Sequence, residues 1–322
     1  MSERTASVVI ACHTEERLPS LVRAIVSAQE QTPAPAQVII AVDHNDRLCA
    51  LLREVSGIEI VDHQGDPGAS GTRNAGAALA HAPLLAFLDD DVEARPGWLR
   101  ELLSPFHDAT VIGSGGMTKP AWQCPRPDWF PDEFGWVIGA SHAGLPTAVS
   151  PVRNVWSENM AVRREAFEIV GGFRRGFGKL GLTSRPEDTD LCIRIGASAP
   201  DSRWVYVPTA VVDHDVPPAR ATFAFFVQRC YWEGAGKIEL SAHLGADRDL
   251  GDERSYLLRT LPVAIARYLR TGKFTRALAI VAGAGVAAAG AAVSIIRGAL
   301  PRSPALDQPA SPVVPTDTPA PN

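Results

Sequence analysis

The sequence predicts an α/β fold, a sheet flanked by helices, with a helical and partly hydrophobic extension at its C-terminal end. Three observations point there. Short apolar or β-branched runs alternate with segments of helical period over roughly the first ninety residues. One of those runs, residues 84–88 (LLAFL), stops abruptly at Asp89, Asp90 and Asp91. An unbroken apolar run reads as a buried strand of a parallel sheet, and carboxylates at its end open onto the crevice where such sheets bind ligands. Beyond Arg254 the composition turns to leucine, alanine and arginine, and residues 277–296 carry no charge.

Taken in order, residues 7–11 (SVVIA) predict the first strand. After the loop CHTEERLPS, Leu18, Leu21, Val22, Ile25 and Val26 recur at helical spacing. Residues 37–42 (QVIIAV) predict a second strand, closed by Asp43-His44-Asn45-Asp46; a short helix at 48–55 and a third strand at 58–61 follow. Residues 65–71 form a glycine-bearing loop, and 72–81 predict a helix feeding the strand that ends in the aspartates. This alternation implies right-handed βαβ units and parallel pairing, so the strands ending at Val42 and Leu88 deliver acidic side chains to one sheet edge. Three adjacent carboxylates repel, and burying them asks for a cation. A hard divalent ion such as Mg²⁺ or Mn²⁺, shared with substrate phosphates, is the natural remedy. A solvated acidic turn is the alternative.

Composition narrows the class. A chain of 322 residues, 46% hydrophobic and 21% charged, has ample material for a sizeable core. Its net charge of −5 offers no basic footprint for nucleic acid. Five scattered cysteines without a CxxC pair argue for a reducing compartment, against a disulfide framework and against a zinc site. The N-terminus returns to charge after a short apolar run, which predicts no signal peptide and a cytoplasmic body.

Residues 118–150 are rich in aromatics and prolines. Pro120, Pro125, Pro127 and Pro131 preclude one continuous helix. Trp122, Trp129, Phe130, Phe134 and Trp136 either pack a loop onto the domain or form a flat platform for an acceptor sugar or lipid. Glu187, Asp188 and Asp190 follow Thr-Ser-Arg-Pro at a loop-to-helix start, where acids are favoured on structural grounds alone. Residues 204–212 predict a strand ending at Asp213-His214-Asp215, and 221–237 a helix with Phe223, Phe226 and Val227 on its apolar face. The segment 277–296 is long enough to cross a bilayer, and the arginine-bearing lead-in at 256–270 suits an interfacial helix; a buried helix is the alternative. The proline-rich tail, 301–322, predicts disorder.

Several of these stretches, SVVIACHTEERL, VIIAVDHND, RNAG, AFLDDDVEARPGWL, SENMAVRREAFEIVGGF and RPEDTDLCIRI, stand in one collinear order between about residues 7 and 237. Together they resemble the family 2 glycosyltransferases. The resemblance implies a Rossmann-like mixed sheet, the A-type glycosyltransferase fold, and an inverting, metal-dependent transfer from a nucleotide diphosphate-sugar. It divides the chain into a catalytic domain, 1–240, with a nucleotide-binding half at 1–117 and an acceptor-side half at 118–240. A helical, membrane-associated region at 241–300 follows.

Carried over residue by residue, it implies nucleotide contacts from Ala11, His13, Glu15, Asp43, Arg73, Asp89 and Asp90. Asp91 ligates the metal, with Asp89 and His214 as further ligands. Asp188 is the general base that takes the proton of an acceptor hydroxyl, and Glu187 positions the acceptor or Asp188. Trp136, Asn159, Arg229 and Lys237 contact acceptor or diphosphate. The hydrophobic C-terminal region suggests as acceptor a glycan or polyprenyl-phosphate-linked sugar at the cytoplasmic membrane face. Ala11-Cys12-His13-Thr14 stands where family members commonly carry proline and tyrosine, which leaves uridine and thymidine diphosphates both open. Asp43-His44-Asn45 replaces a DDGS-like sequence, and the separation of Arg229 from Trp232 departs from the QxxRW-type segment. The rival readings are a sugar nucleotidyltransferase, which lacks its glycine- and lysine-rich loop here, and a non-catalytic scaffold of glycan assembly.

Overall fold

The computed structural model describes residues 5–180, 183–244 and 255–298. The predicted tail at 301–322 lies outside them. The N-terminal alternation folds as expected: β1 (Ala6–Cys12), α1 (Leu18–Gln29), β2 (Gln37–Asp43), α2 (Asp46–Leu52), β3 (Glu59–His63), α3 (Ala69–Leu79) and β4 (Leu84–Asp89). The helix expected at 48–55 starts earlier, because the Asn45 side chain accepts a hydrogen bond from the Leu48 N–H at 2.9 Å and caps it. Gly76 of the RNAG segment lets α3 lie on the sheet, since a Cβ there would sit 2.5 Å from Val9 Cγ1.

The remaining elements are β5 (Val92–Ala94), α4 (Trp98–Leu103), β6 (Val111–Trp122), β7 (Ser150–Val152), β8 (Asn159–Arg163), α5 (Arg164–Ile169), β9 (Gly178–Leu180), β10 (Thr183–Arg185), α6 (Glu187–Ser198) and β11 (Arg203–Val216). The main sheet runs in the order β3-β2-β1-β4-β8-β6-β11-β5, with β7 pairing β11. β3, β2, β1 and β4 are parallel, whereas β8 is antiparallel to both β4 and β6. The sheet is therefore mixed. β6 passes through residue 117, so the boundary expected there falls inside one sheet. One apolar cluster lies under α1, α2 and α4, and a second lies between the sheet and α3, α5 and α6.

The strand expected to stop at residue 212 continues to Val216. Its far end pairs with β5, the three residues just after the aspartates, in the register Val212↔Ala94, Asp213↔Glu93 and His214↔Val92. The Asp215 N–H also donates to the Asp91 carbonyl at 2.9 Å. This pairing carries His214 to the acidic edge.

Three C-terminal helices follow: α7 (Phe223–Leu244), α8 (Leu261–Arg270), preceded by a π turn at Tyr256–Thr260, and α9 (Phe274–Gly298). They form a third apolar cluster with the aromatic segment. Phe130 and Phe134 are buried there, with ring centroids 6.0 and 5.2 Å from Phe226. Most of the aromatic run is thus packing rather than platform. α7 and α9 approach to backbone contact, since a Cβ on Gly234 would fall 1.9 Å from the Ala287 carbonyl oxygen.

Candidate active site

A cavity of about 1560 Å³ opens at the C-terminal edge of the parallel strands. Ala11, His13, Asp43, Arg73 and the three aspartates line it from the N-terminal half. Trp136, Glu187, Asp188, His214, Arg229 and Lys237 line it from the other half and from α7. Asp43 sits at the end of β2, where its carboxylate accepts from the Gly68 N–H at 2.8 Å and lies 2.7 Å from His44 Nδ1.

The aspartate triplet is divided among three arginines. Arg73, buried on α3, donates from Nη2 to Asp89 at 2.6 Å and reaches Glu187 with Nη1 at 3.4 Å. It therefore ties the end of β4 to the start of α6. Arg17 Nη1 lies 2.7 Å from Asp90 and 3.1 Å from Asp91. Arg220 Nη2 reaches Asp91 at 3.3 Å, and its Nη1 lies 3.2 Å from His214 Nε2. Burial pushes the Asp90 carboxyl up to about 6 against the opposing pull of Arg17. Burial acts on Asp91 too, but the hydrogen bond and charge of His214, with Arg220 and Arg17, outweigh it and hold this carboxyl well below the ordinary range. Asp91 is the more firmly ionised of the pair.

The fit to a divalent cation rests on Asp91 and His214. The Nε2 of His214 is 3.2 Å from Asp91 Oδ1, and its buried Nδ1 has no hydrogen-bond partner among the described residues. One carboxylate and one imidazole are donors that would suit Mn²⁺. The expected trio with Asp89 does not assemble. Among the described residues no group of three or more His, Cys, Asp or Glu side chains could hold a metal, and Asp89 is turned to Arg73.

Asp188 is in the first turn of α6. Ser157 hydrogen-bonds its carboxylate, while Oδ1 has no partner among the described residues. Burial raises its pKa, opposed chiefly by Arg73 and Ser157. Glu187 is pushed up to about 8, by burial first and the Asp188 charge second, with Arg73 pulling the other way. A dyad that gives up its second proton late is suited to taking a proton from a hydroxyl.

Two expected residues fall outside this arrangement. Asn159 is buried and accepts from Trp98 Nε1 at 2.7 Å, while its Nδ2 donates to the Met117 and Ala210 carbonyls at 3.2 and 3.0 Å. It braces β8 against its neighbours, is buried with both donors taken, and does not line the cavity. Glu15 is likewise outside the lining, held by Asn45 Nδ2 at 3.1 Å. Three residues that do line it escape sequence reasoning: Arg17, Arg220 and Glu158. Burial lifts the Glu158 carboxyl well above its ordinary range, helped by the charges of Asp89 and Asp188.

The glycosyl transferase family 2 model matches residues 7–171. The glucosyl-dolichyl phosphate glucuronosyltransferase of Haloferax volcanii is 29% identical over 237 residues, 72% of this chain and 75% of that protein. Among solved structures, the mannosyltransferase PcManGT from Pyrobaculum calidifontis, in complex with GDP-Man and Mn²⁺, has a TM-score of 0.55 at 16% identity, covering 86% of both chains. GalNAc-T7 with UDP, GalNAc and Mn²⁺ has a TM-score of 0.52 at 16% identity, over 78% of this chain; the chain spans about half of that protein's length, 53%. These two likenesses show the A-type glycosyltransferase fold. A family match over half of the sequence, on that fold and with acidic groups from both halves converging in one cavity, means that the chain belongs to glycosyl transferase family 2.

Proposed function

We propose that this glycosyltransferase inverts configuration and moves a sugar from a nucleoside diphosphate-sugar to a hydroxyl of a polyprenyl-phosphate-linked glycan at the cytoplasmic face of a membrane. The observation that carries it is the Arg73 bridge, which sets the acids at the end of β4 against the carboxylates at the start of α6. Asp43 and the backbone around His13 take the nucleoside, and Asp89, with one oxygen on Arg73, faces the ribose. Asp91 and His214 are the residues that would hold a divalent cation, whose chemistry is to neutralise charge on the departing diphosphate. Arg17 and Arg220, already at this edge, turn to the phosphates. Asp188 takes the proton of the acceptor hydroxyl as it attacks from the opposite side of the anomeric carbon. A single displacement of this kind needs no enzyme nucleophile, in contrast to retaining glycosidases.

The acceptor class is supported by the name of the Haloferax relative and by the C-terminal helices. α9 is long and apolar enough to cross a bilayer, and little of it is buried. One side packs on α7 while Leu278 and Val281 are 69% and 58% exposed, which favours a helix lying on the membrane beside the catalytic domain. The test is calorimetric titration of UDP, GDP and dTDP sugars with and without Mn²⁺, followed by nucleotide release in the presence of extracted membrane lipid. One nucleotide is expected to bind in a Mn²⁺-dependent way and to be released as the diphosphate. Absence of binding by every nucleotide would overturn the reading in favour of a scaffold.

The dyad makes a pH prediction. Arg73 holds both Glu187 and Asp188 below where burial alone would put them. Arg73→Gln therefore raises both pKa values. Because the base acts deprotonated, the rise of kcat/KM with pH moves to higher pH, by on the order of one unit. A pH–rate profile checks this, and an unmoved or lowered acid limb would contradict it.

A further inference from the structure

The cavity does not end at the acids. α7 lines it from Phe225 to Ile238, a span of roughly 20 Å at the rise of an α-helix. In its C-terminal part Ile238, Leu257, Leu261, Ala284, Ala288 and Ala291, from α7, the π turn before α8, α8 itself and α9, form an apolar side, while Lys237, Ser255, Tyr256 and Thr260 line the same part with polar groups. The apolar side offers no hydrogen bond, because helix interiors already pair their own backbone groups. A peptide lying against that side would leave its N–H and C=O groups there unmatched. A hydrocarbon chain with a polar head meets no such penalty.

Arg229 lines the same cavity and is half-buried. Its helical neighbour Glu233 pairs instead with Lys237 at 3.5 Å. Among the described residues no carboxylate pairs with Arg229, so a half-buried guanidinium faces a cavity that has acids at one end and hydrocarbon at the other. The outer side of α9 is also apolar, with Ile295 and Ile296 at 56% and 66% exposed. Arg259, Arg270 and Lys273 stand exposed nearby in sequence.

We propose that this apolar arm is the subsite for the isoprenoid chain of a lipid phosphate, with Arg229 at its phosphate and the chain held between α7, the start of α8 and α9. The chain enters from the bilayer on which α9 lies, and its head group, carrying the acceptor hydroxyl, extends toward Asp188. This rests on the glycosyltransferase reading above, and places its acceptor.

The test uses the full-length protein and three probes below their micellar concentrations: farnesyl phosphate, farnesol and inorganic phosphate. Binding is followed by the fluorescence of Trp136 and Trp232, which line the cavity. Wild type should bind farnesyl phosphate at least about tenfold more tightly than farnesol, as expected of a charge-assisted contact, and bind inorganic phosphate more weakly than either. Ala288→Phe, at an exposed position, and independently Ala291→Phe should weaken farnesyl phosphate by about tenfold or more while nucleotide-sugar affinity is unchanged. Arg229→Gln should bring farnesyl phosphate and farnesol to equal affinity. Equal binding of the two in wild type, or undiminished farnesyl phosphate binding in both phenylalanine variants, would overturn the proposal. Either result with nucleotide-sugar binding intact removes only this subsite, whereas loss of nucleotide binding in wild type removes the enzymatic reading itself.

Discussion

Replacing Asp188 with asparagine is expected to lower kcat by about three orders of magnitude, the middle-to-upper range for a general base, with donor affinity nearly unchanged. The substitution keeps the shape and the hydrogen bond from Ser157 but removes the only part of the side chain that can accept a proton. Among the described residues Asp188 Oδ1 has no hydrogen-bond partner, so no internal hydrogen bond there competes with an incoming hydroxyl. Its raised pKa adds basicity, and Arg73 keeps the group ionised often enough to act. Glu187→Gln is the control. Glu187 meets Arg73 through Oε1, and losing that carboxylate should cost far less, because its work is to hold Arg73. Steady-state kinetics with a nucleotide titration on both variants decides the matter. A larger loss for Glu187→Gln than for Asp188→Asn would exchange the two roles.

The sequence showed the fold and the acids clearly because both are local signals. Apolar runs set β1 to β4, and each carboxylate of interest follows a strand or opens a helix. What answers those carboxylates was hidden, because Arg17 meets Asp90 across 73 residues and Arg220 meets Asp91 across 129. Neither arginine carries a local signal, and from the triplet itself only a cation is expected to neutralise it. Asn159 failed for the same reason in reverse. Its motif is local, but its hydrogen bonds run to Trp98, Met117 and Ala210, so its structural duty appears only once β8 is placed in the sheet. One missed signal was available. Val212, His214 and Val216 are buried while Asp213 and Asp215 are less so, a period of two that marks a continuing strand. Read that way, the sequence would have put His214 inside β11, facing the acids.

Asp91→Asn should abolish the response of donor binding to Mn²⁺ and lower kcat/KM by about two to three orders of magnitude, the scale of losing charge stabilisation on a leaving group. Asp91 is the carboxylate held firmly ionised, and it is the one that meets His214. Asparagine keeps an oxygen at that place and removes the charge. The substitution also frees Arg17 and Arg220 from one anion, and breaking a buried pair can cost about 3–5 kcal/mol of stability. Activity alone would confuse those effects. The decisive readout is therefore the ratio of donor affinities with and without Mn²⁺, measured on protein whose folded fraction has been checked by circular dichroism. A guanidinium released from Asp91 can still bind phosphate, so metal-free affinity should hold or rise while the metal-dependent gain disappears. If the variant keeps the wild-type ratio, the cation does not sit on Asp91 and His214. In that case Asp89 must leave Arg73 to hold it, and the Arg73 bridge could not persist through the catalytic cycle.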